Sequence, residues 1–222
     1  MKILSLKHFL GIAALIWVLI LLPFFVFGAE FRAGDQTSVS KSEVINEDLY
    51  LAGGNVSSAG SVQGDLLAGG GSVLLTGAVS GDVWAGGGNV NVLSEVGDDL
   101  RAAGGTIVSE GNILGDALLA GGQITLSGER VVGDVWAAGG SIRISSSVGG
   151  NLRIVGEEVY LNAPIAGNAE IKAGRLTLGP KANIAGNLTY TAPKEATLEE
   201  GALVRGETTL TEKVPVKGSN GQ

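Results

Sequence analysis

Carboxylates recur along this chain at a nearly constant interval of 17 or 18 residues, and asparagines continue the series at intervals of 17 and 19. If the chain coils with this period, the side chains stack about 5 Å apart along one edge. Such a column could bind hard cations such as Ca²⁺, or each oxygen could accept a backbone N–H at a turn. The exchange of Asp for Asn favours the turn role, and we predict neither a metal site nor a cofactor. The column is Asp48, Asp65, Asp82, Asp99, Asp116, Asp134, Asn151, Asn168 and Asn187.

The chain offers little for catalysis. Its only histidine is His8, and it has no cysteine, so Ser-His and Cys-His nucleophiles are not available in the repeat region. Adjacent acids occur at Asp98-Asp99, Glu157-Glu158 and Glu199-Glu200, and acid clusters carry glycoside hydrolysis. Neighbours on a strand point to opposite faces, however. We therefore predict no catalytic residues and no enzyme.

A second column is expected to face outward, two residues after each Asp or Asn. Exposed apolar side chains in a row mark contact surfaces. We expect Arg101 to stack on Trp84 and Arg153 on Trp136; the alternative is that the linker or the C-terminal tail covers the column. The predicted partner-contact column is Tyr50, Leu67, Trp84, Arg101, Leu118, Trp136 and Arg153.

The elements that position these columns follow from the same interval. Apolar residues stand one, eight, ten and about fourteen positions after each Asp or Asn, so the spacing within each arm is two, as in strands with one buried face. Self-similarity on this scale is typical of a solenoid. We predict an all-β, single-stranded parallel β-helix over residues 48–211, with about nine to ten coils of three short strands.

Glycine pairs recur at one place in six coils. A corner between strands often needs a positive φ, which glycine reaches without steric cost. A phosphate-binding loop is the functional alternative, but such loops occur once and lead into a helix. We therefore predict corners at Gly53-Gly54, Gly70-Gly71, Gly87-Gly88, Gly104-Gly105, Gly121-Gly122 and Gly139-Gly140.

The N-terminus has a different character. Lys2 and Lys7 precede an apolar run over residues 9–27, which is typical of a secretory signal or a membrane anchor. We predict a hydrophobic helix in residues 1–28 that is retained as a single membrane anchor, with the β-helix outside the cytoplasm. Secretion after cleavage near Gly28 is the alternative. Residues 29–47 are predicted to be a polar linker, and residues 212–222 a disordered tail.

Charge bears on the partners. The net charge is −7, and residues 48–142 hold ten acids against two bases. No basic patch is evident, so we predict no nucleic-acid partner.

The repeat units resemble those of bactofilins, the polymer-forming cytoskeletal β-helix proteins. The resemblance rests on Gly150-Asn151-Leu152, Gly167-Asn168-Ala169 and Gly186-Asn187-Leu188, each followed by alternating Val, Ile or Leu, and covers about residues 48–210. It implies a right-handed, roughly triangular helix and end-to-end assembly of rods without nucleotide. The expected function is a non-catalytic, self-assembling structural protein at the cell envelope. The alternative is a surface module that binds envelope polysaccharide or a protein partner through the outward column.

Overall fold

The computed structural model describes residues 28–212, which form a parallel β-solenoid of about 11 turns. Each coil contributes one long strand, and most coils add a two-residue strand. The long strands are β1 (Ala29–Val39), β3 (Asp48–Ser58), β5 (Leu66–Leu75), β6 (Val83–Val92), β7 (Leu100–Ser109), β8 (Ala117–Leu126), β10 (Val135–Ile144), β12 (Leu152–Leu161), β14 (Ala169–Leu178), β16 (Leu188–Ala192) and β19 (Thr208–Glu212). The short strands are β2 (Val44–Ile45), β4 (Ser61–Val62), β9 (Arg130–Val131), β11 (Ser147–Val148), β13 (Pro164–Ile165), β15 (Asn183–Ile184), β17 (Thr197–Leu198) and β18 (Leu203–Val204).

Equivalent residues of successive coils lie side by side. The long strands form one parallel sheet in chain order, to which β17 adds beside β14. The short strands form a separate ladder that single bridges between Val62, Val79, Val96, Ile113 and Val131 make continuous. The predicted parallel solenoid is therefore confirmed, although one long strand takes the place of two of the predicted short strands.

The core is a set of stacked apolar columns. Leu49, Leu66, Val83 and Leu100 are fully buried and adjacent in register. Within β5 the buried residues are Leu66 and Ala68 before the glycines and Val73 and Leu75 after them. The alternation therefore changes parity between the two halves, as expected where a chain turns a corner. Because each coil packs only on its neighbours, the whole stack is one continuous core.

The glycine pairs lie at these corners, but the predicted positive φ is wrong. Within residues 28–212 only Gly28 and Gly201 have positive φ. Glycine is required here for another reason, which is that the backbones of successive coils approach each other closely. A Cβ at Gly87 would lie 2.5 Å from the carbonyl oxygen of Gly70 in the preceding coil, so the space between stacked coils excludes a side chain.

The predicted polar linker over residues 29–47 is also wrong, because β1 pairs with β3 in continuous parallel register from Ala29 to Val39. This segment forms the first coil, which raises the number of coils above the predicted nine to ten. The pattern was hidden because Glu30 and Arg32 stand where Leu49 and Leu51 stand in the next coil. The structure thus begins with a charged coil over an apolar core.

The charged coil is held together by Arg32. Its guanidinium forms ion pairs with Glu30 at 2.7 Å and with Glu43 at 2.6 Å, and donates a hydrogen bond to the carbonyl of Ser38 at 2.9 Å. These contacts satisfy the charges that replace leucine at the end of the stack. The N-terminal end of the core is therefore covered by an ion network.

Two sequence predictions lie outside the described residues. They are the hydrophobic helix, with its signal or anchor role, and the disordered tail beyond Glu212, which itself ends β19. In the part of the chain that the structure describes, no helix is both long and apolar enough to cross a membrane.

Candidate functional site

The Asp/Asn column forms a hydrogen-bonded ladder along the rod. In each step, a side-chain oxygen accepts the backbone N–H of the equivalent residue in the next coil. Asp48 accepts from Asp65 at 2.9 Å, and Asn187 ends the series by accepting from Glu207 at 2.9 Å. The seven intervening steps span 2.6–3.0 Å. The predicted role as acceptors of backbone N–H is confirmed, with the refinement that the donor belongs to the neighbouring coil.

One part of the ladder gathers three carboxylates. Oxygens of Asp82, Asp98 and Asp99 lie within 4.8 Å of one another. The nearby charge of Asp99 and, after it, some loss of hydration raise the pKa of the exposed Asp98. Arg101 already occupies this cluster, because it contacts Asp82 at 2.9 Å and Asp99 at 2.7 Å. The cluster therefore has a built-in cationic partner.

The adjacent acids were predicted to point to opposite faces, and this is wrong for one of the three pairs. Asp98 and Asp99 converge, since they lie in the bend before β7 rather than on a strand. Glu158 forms an ion pair with Arg175 at 2.7 Å, and Glu199 accepts a hydrogen bond from Tyr160 at 3.3 Å. Glu158 and Tyr160 lie two residues apart on β12 and line one shallow depression with Arg175. Glu158 and Glu199 each already have a partner there.

The predicted outward column is continuous in register and starts one coil earlier than predicted. Phe31 lies beside Tyr50 and stacks on it, with ring centroids 4.6 Å apart and an interplanar angle of 15°. Sequence analysis missed Phe31 because its segment was interpreted as a linker. Leu67, Trp84 and Leu118 are 46%, 49% and 51% exposed, while Trp136 is half-buried. We call this set, from Phe31 through the predicted column to Arg153, the ridge.

Two arginines were expected to stack on tryptophans of the ridge. Arg101 does so, with its guanidinium 4.7 Å from the ring centroid of Trp84. Arg153 instead faces Glu170 of the next coil at 3.6 Å. Apart from Arg101, the ridge is thus aromatic and apolar in its first seven coils and charged beyond them.

A second outward column, which sequence analysis did not single out, runs beside the ridge. It consists almost entirely of alanine and glycine. It could have been predicted from the small residue that stands two positions after most ridge residues in the sequence. We call it the strip; in register it is Ala33, Ala52, Gly69, Gly86, Ala103, Ala120, Ala138 and Val155, followed by Lys172.

Ridge and strip together enclose a shallow groove. Its volume is about 320 Å³, with Ala120 and Ala138 in its floor, Leu118 and Trp136 on one side, and Val155 towards its charged end. The lining is mainly apolar, so the groove suits an apolar side chain better than an ionic ligand.

Comparison of the chain with protein-family models, with curated proteins and with solved structures gave no match. The similarity to bactofilins therefore stays an interpretation of the repeat units. A functional assignment has to rest on the ridge, the strip and the ladder.

Proposed function

We propose that this chain is a non-catalytic structural protein of the cell envelope that associates with copies of itself. The observation that carries the proposal is the ridge, an exposed apolar column that continues over successive coils of a rigid scaffold. Apolar surface of this extent on a soluble domain is typical of an interaction site. The bactofilin-like repeat units point in the same direction, and with them we propose a right-handed, roughly triangular cross-section.

Two kinds of association are possible for such a rod. Joining ends would continue the parallel sheet, because a terminal strand has unpaired backbone groups. The Arg32 network opposes this at the N-terminal end, since an apolar coil stacked there would bury charges that are now partly in water. Contact through the side of the rod carries no such penalty and is the mode we favour.

Residues 9–27 would anchor the assembly in the cell membrane, with the rod outside the cytoplasm. Secretion after cleavage near Gly28 would instead release it. Either location is compatible with a solenoid that lacks cysteine and histidine throughout residues 28–212.

Self-association is tested directly by sedimentation velocity of the full chain in a mild detergent, over the micromolar range, with negative-stain microscopy of the same samples. We expect dimers or larger assemblies whose fraction rises with concentration. A strictly monomeric rod at every concentration would refute the proposal.

A second function is favoured by the aromatic members of the ridge. Aromatic side chains on a flat surface present apolar faces to a ligand, and an envelope polysaccharide could lie along the ridge. In this case the double variant Trp84→Ala/Trp136→Ala would lose retention on cell-wall material while the wild-type rod stayed monomeric. Ser72→Ala, on a different outward column, is the matched control.

A further inference from the structure

Two glycines in the strip are required neither by the packing nor by the backbone conformation of the chain. A Cβ at Gly69 or Gly86 would meet no atom within 4 Å, and neither residue has positive φ. Glycine inside a strand costs conformational entropy and adds no packing. Their immediate neighbours Gly70 and Gly87 are different, because there the preceding coil excludes a side chain. Packing within the chain therefore does not require glycine at Gly69 or Gly86, and the flat surface there is open to a partner.

The ridge supplies a surface of matching shape. From the coil of Phe31 to the coil of Trp136 a bulky outward residue is followed, two positions later, by a small one, as in Leu67 with Gly69 and Trp136 with Ala138. Large residues opposite small ones are the arrangement that fills an interface without voids. A face with one bulky and one small column is complementary to a copy of itself.

We propose that two copies pack side by side in parallel, with the ridge of each seated on the strip of the other. This proposal rests on the self-association proposed above and specifies its geometry. The two-fold axis runs along the rods, so each coil faces the same coil of the second copy. Trp136 of one copy then fills the groove over Ala120 and Ala138 of the other.

Charge supports the parallel arrangement. Beyond the apolar coils, the ridge position is Glu170 and the strip position is Lys172. The parallel pair places Glu170 of each copy opposite Lys172 of the other, which gives two complementary charge pairs. An antiparallel pair would instead place ridge on ridge and strip on strip, with a void between the two rows of small residues.

The available area is sufficient. Ten coils at about 4.8 Å, each exposing about five residues at about 3.3 Å, give a face of about 790 Å² per copy. A standard stable interface buries about 800 Å² per partner. The N-terminal coils of both copies also lie at the same end of the pair, so the predicted anchors over residues 9–27 would enter one membrane.

Thiol cross-linking tests the geometry, since the chain has no cysteine of its own. Leu67→Cys and Leu118→Cys are made separately in the full chain and treated with a short bismaleimide in mild detergent. In the parallel pair each variant cross-links to itself, because each coil faces its own copy. In an antiparallel pair Leu67→Cys and Leu118→Cys cannot both cross-link to themselves, because only one level of the rod faces its own equivalent. Thr125→Cys, on another outward column, is the control and should remain uncross-linked.

The strip is tested by Gly69→Gln/Gly86→Gln, with Ser72→Gln as the matched change outside the face. We expect the strip variant to melt at or above the wild-type temperature, yet to associate at least about tenfold more weakly. The charge swap Glu170→Lys/Lys172→Glu should restore association that either single change weakens.

The outcomes separate the two proposals. If the wild type associates but the cross-links fail and the strip variant still pairs, the parallel geometry is wrong while self-association stands. If the wild type is monomeric, both proposals are wrong, and polysaccharide binding to the ridge becomes the interpretation to pursue.

Discussion

The side chain of Asp116 accepts a 2.7 Å hydrogen bond from the backbone N–H of Asp134, its equivalent in the next coil. The two residues are 18 positions apart, whereas most steps of the ladder span 17. The extra residue is therefore absorbed elsewhere in the coil, and the contact is kept. This indicates that the ladder is a structural requirement of the stack.

Loss of one ladder step should destabilise the rod. We expect Asp116→Ala to lower the free energy of unfolding by about 1–2 kcal/mol, because the N–H of Asp134 loses its acceptor. Asp116→Asn keeps an acceptor oxygen and should retain most of the stability, as the asparagines at the end of the column do. Thermal melts followed by circular dichroism compare the two variants, and equal losses would show that the hydrogen bond is not what matters.

Calcium should have little effect on folding, although Asp82, Asp98 and Asp99 form an acid cluster. Arg101 already neutralises two of these carboxylates, and one oxygen of Asp82 and of Asp99 is engaged in the ladder. Melting temperatures in EDTA and in millimolar Ca²⁺ are expected to agree within a few degrees. A melting temperature that is much higher in Ca²⁺ than in EDTA would establish a cation site.

Neighbouring glycines should respond differently to the same substitution. Gly87→Ala introduces a Cβ 2.5 Å from the carbonyl oxygen of Gly70 and should destabilise the coil, because the backbone has to move. Gly86→Ala faces open space and should be neutral or slightly stabilising, since alanine restricts the unfolded chain. Chemical denaturation of the two variants measures the difference, and similar unfolding midpoints would contradict the close packing of Gly87 on the preceding coil.

The Arg32 network should make stability depend on pH. The hydrogen bond from Arg32, with further ones from Ser40, lowers the pKa of Glu43 to about 2. The folded state thus has the lower pKa, so this contribution is complete above the ordinary value near 4.5 and is lost as pH falls towards 2. Glu43→Gln should remove this part of the acid sensitivity in melts between pH 5 and pH 2. An unchanged pH profile would show that the network does not stabilise the fold.

A buried hydroxyl offers a stabilising change. Ser109 is fully buried between Val92 and Leu126, and its Oγ has no hydrogen-bond partner among residues 28–212. We expect Ser109→Ala to raise the free energy of unfolding by up to about 1 kcal/mol, because an unsatisfied polar group is removed from the core. The change Ser72→Ala, at a half-buried outward position, should have no such effect. Clear destabilisation by Ser109→Ala would mean that the hydroxyl has a partner after all.

Much of the fold could be predicted because the repeat encodes it locally. The interval between Asp65 and Asp82, with apolar residues at alternate positions, is enough to specify parallel coils and the inward face. Arg101 on Trp84 followed from the same alignment, since residues one interval apart become neighbours. The first coil could not be recognised, because Glu30 and Arg32 interrupt the apolar pattern that identifies the coils from β3 to β16.

The sequence by itself determined the solenoid, the ladder residues and the ridge from Tyr50 onwards, since each depends only on the period and on alternation along a strand. Only the tertiary structure decided why Gly87 has to be glycine while Gly86 does not, because that depends on the distance to the preceding coil. It also decided that Asp98 and Asp99 converge with Asp82, since bends do not alternate as strands do. The complementarity of ridge and strip likewise required the stacked structure, in which small residues from many coils become one continuous surface.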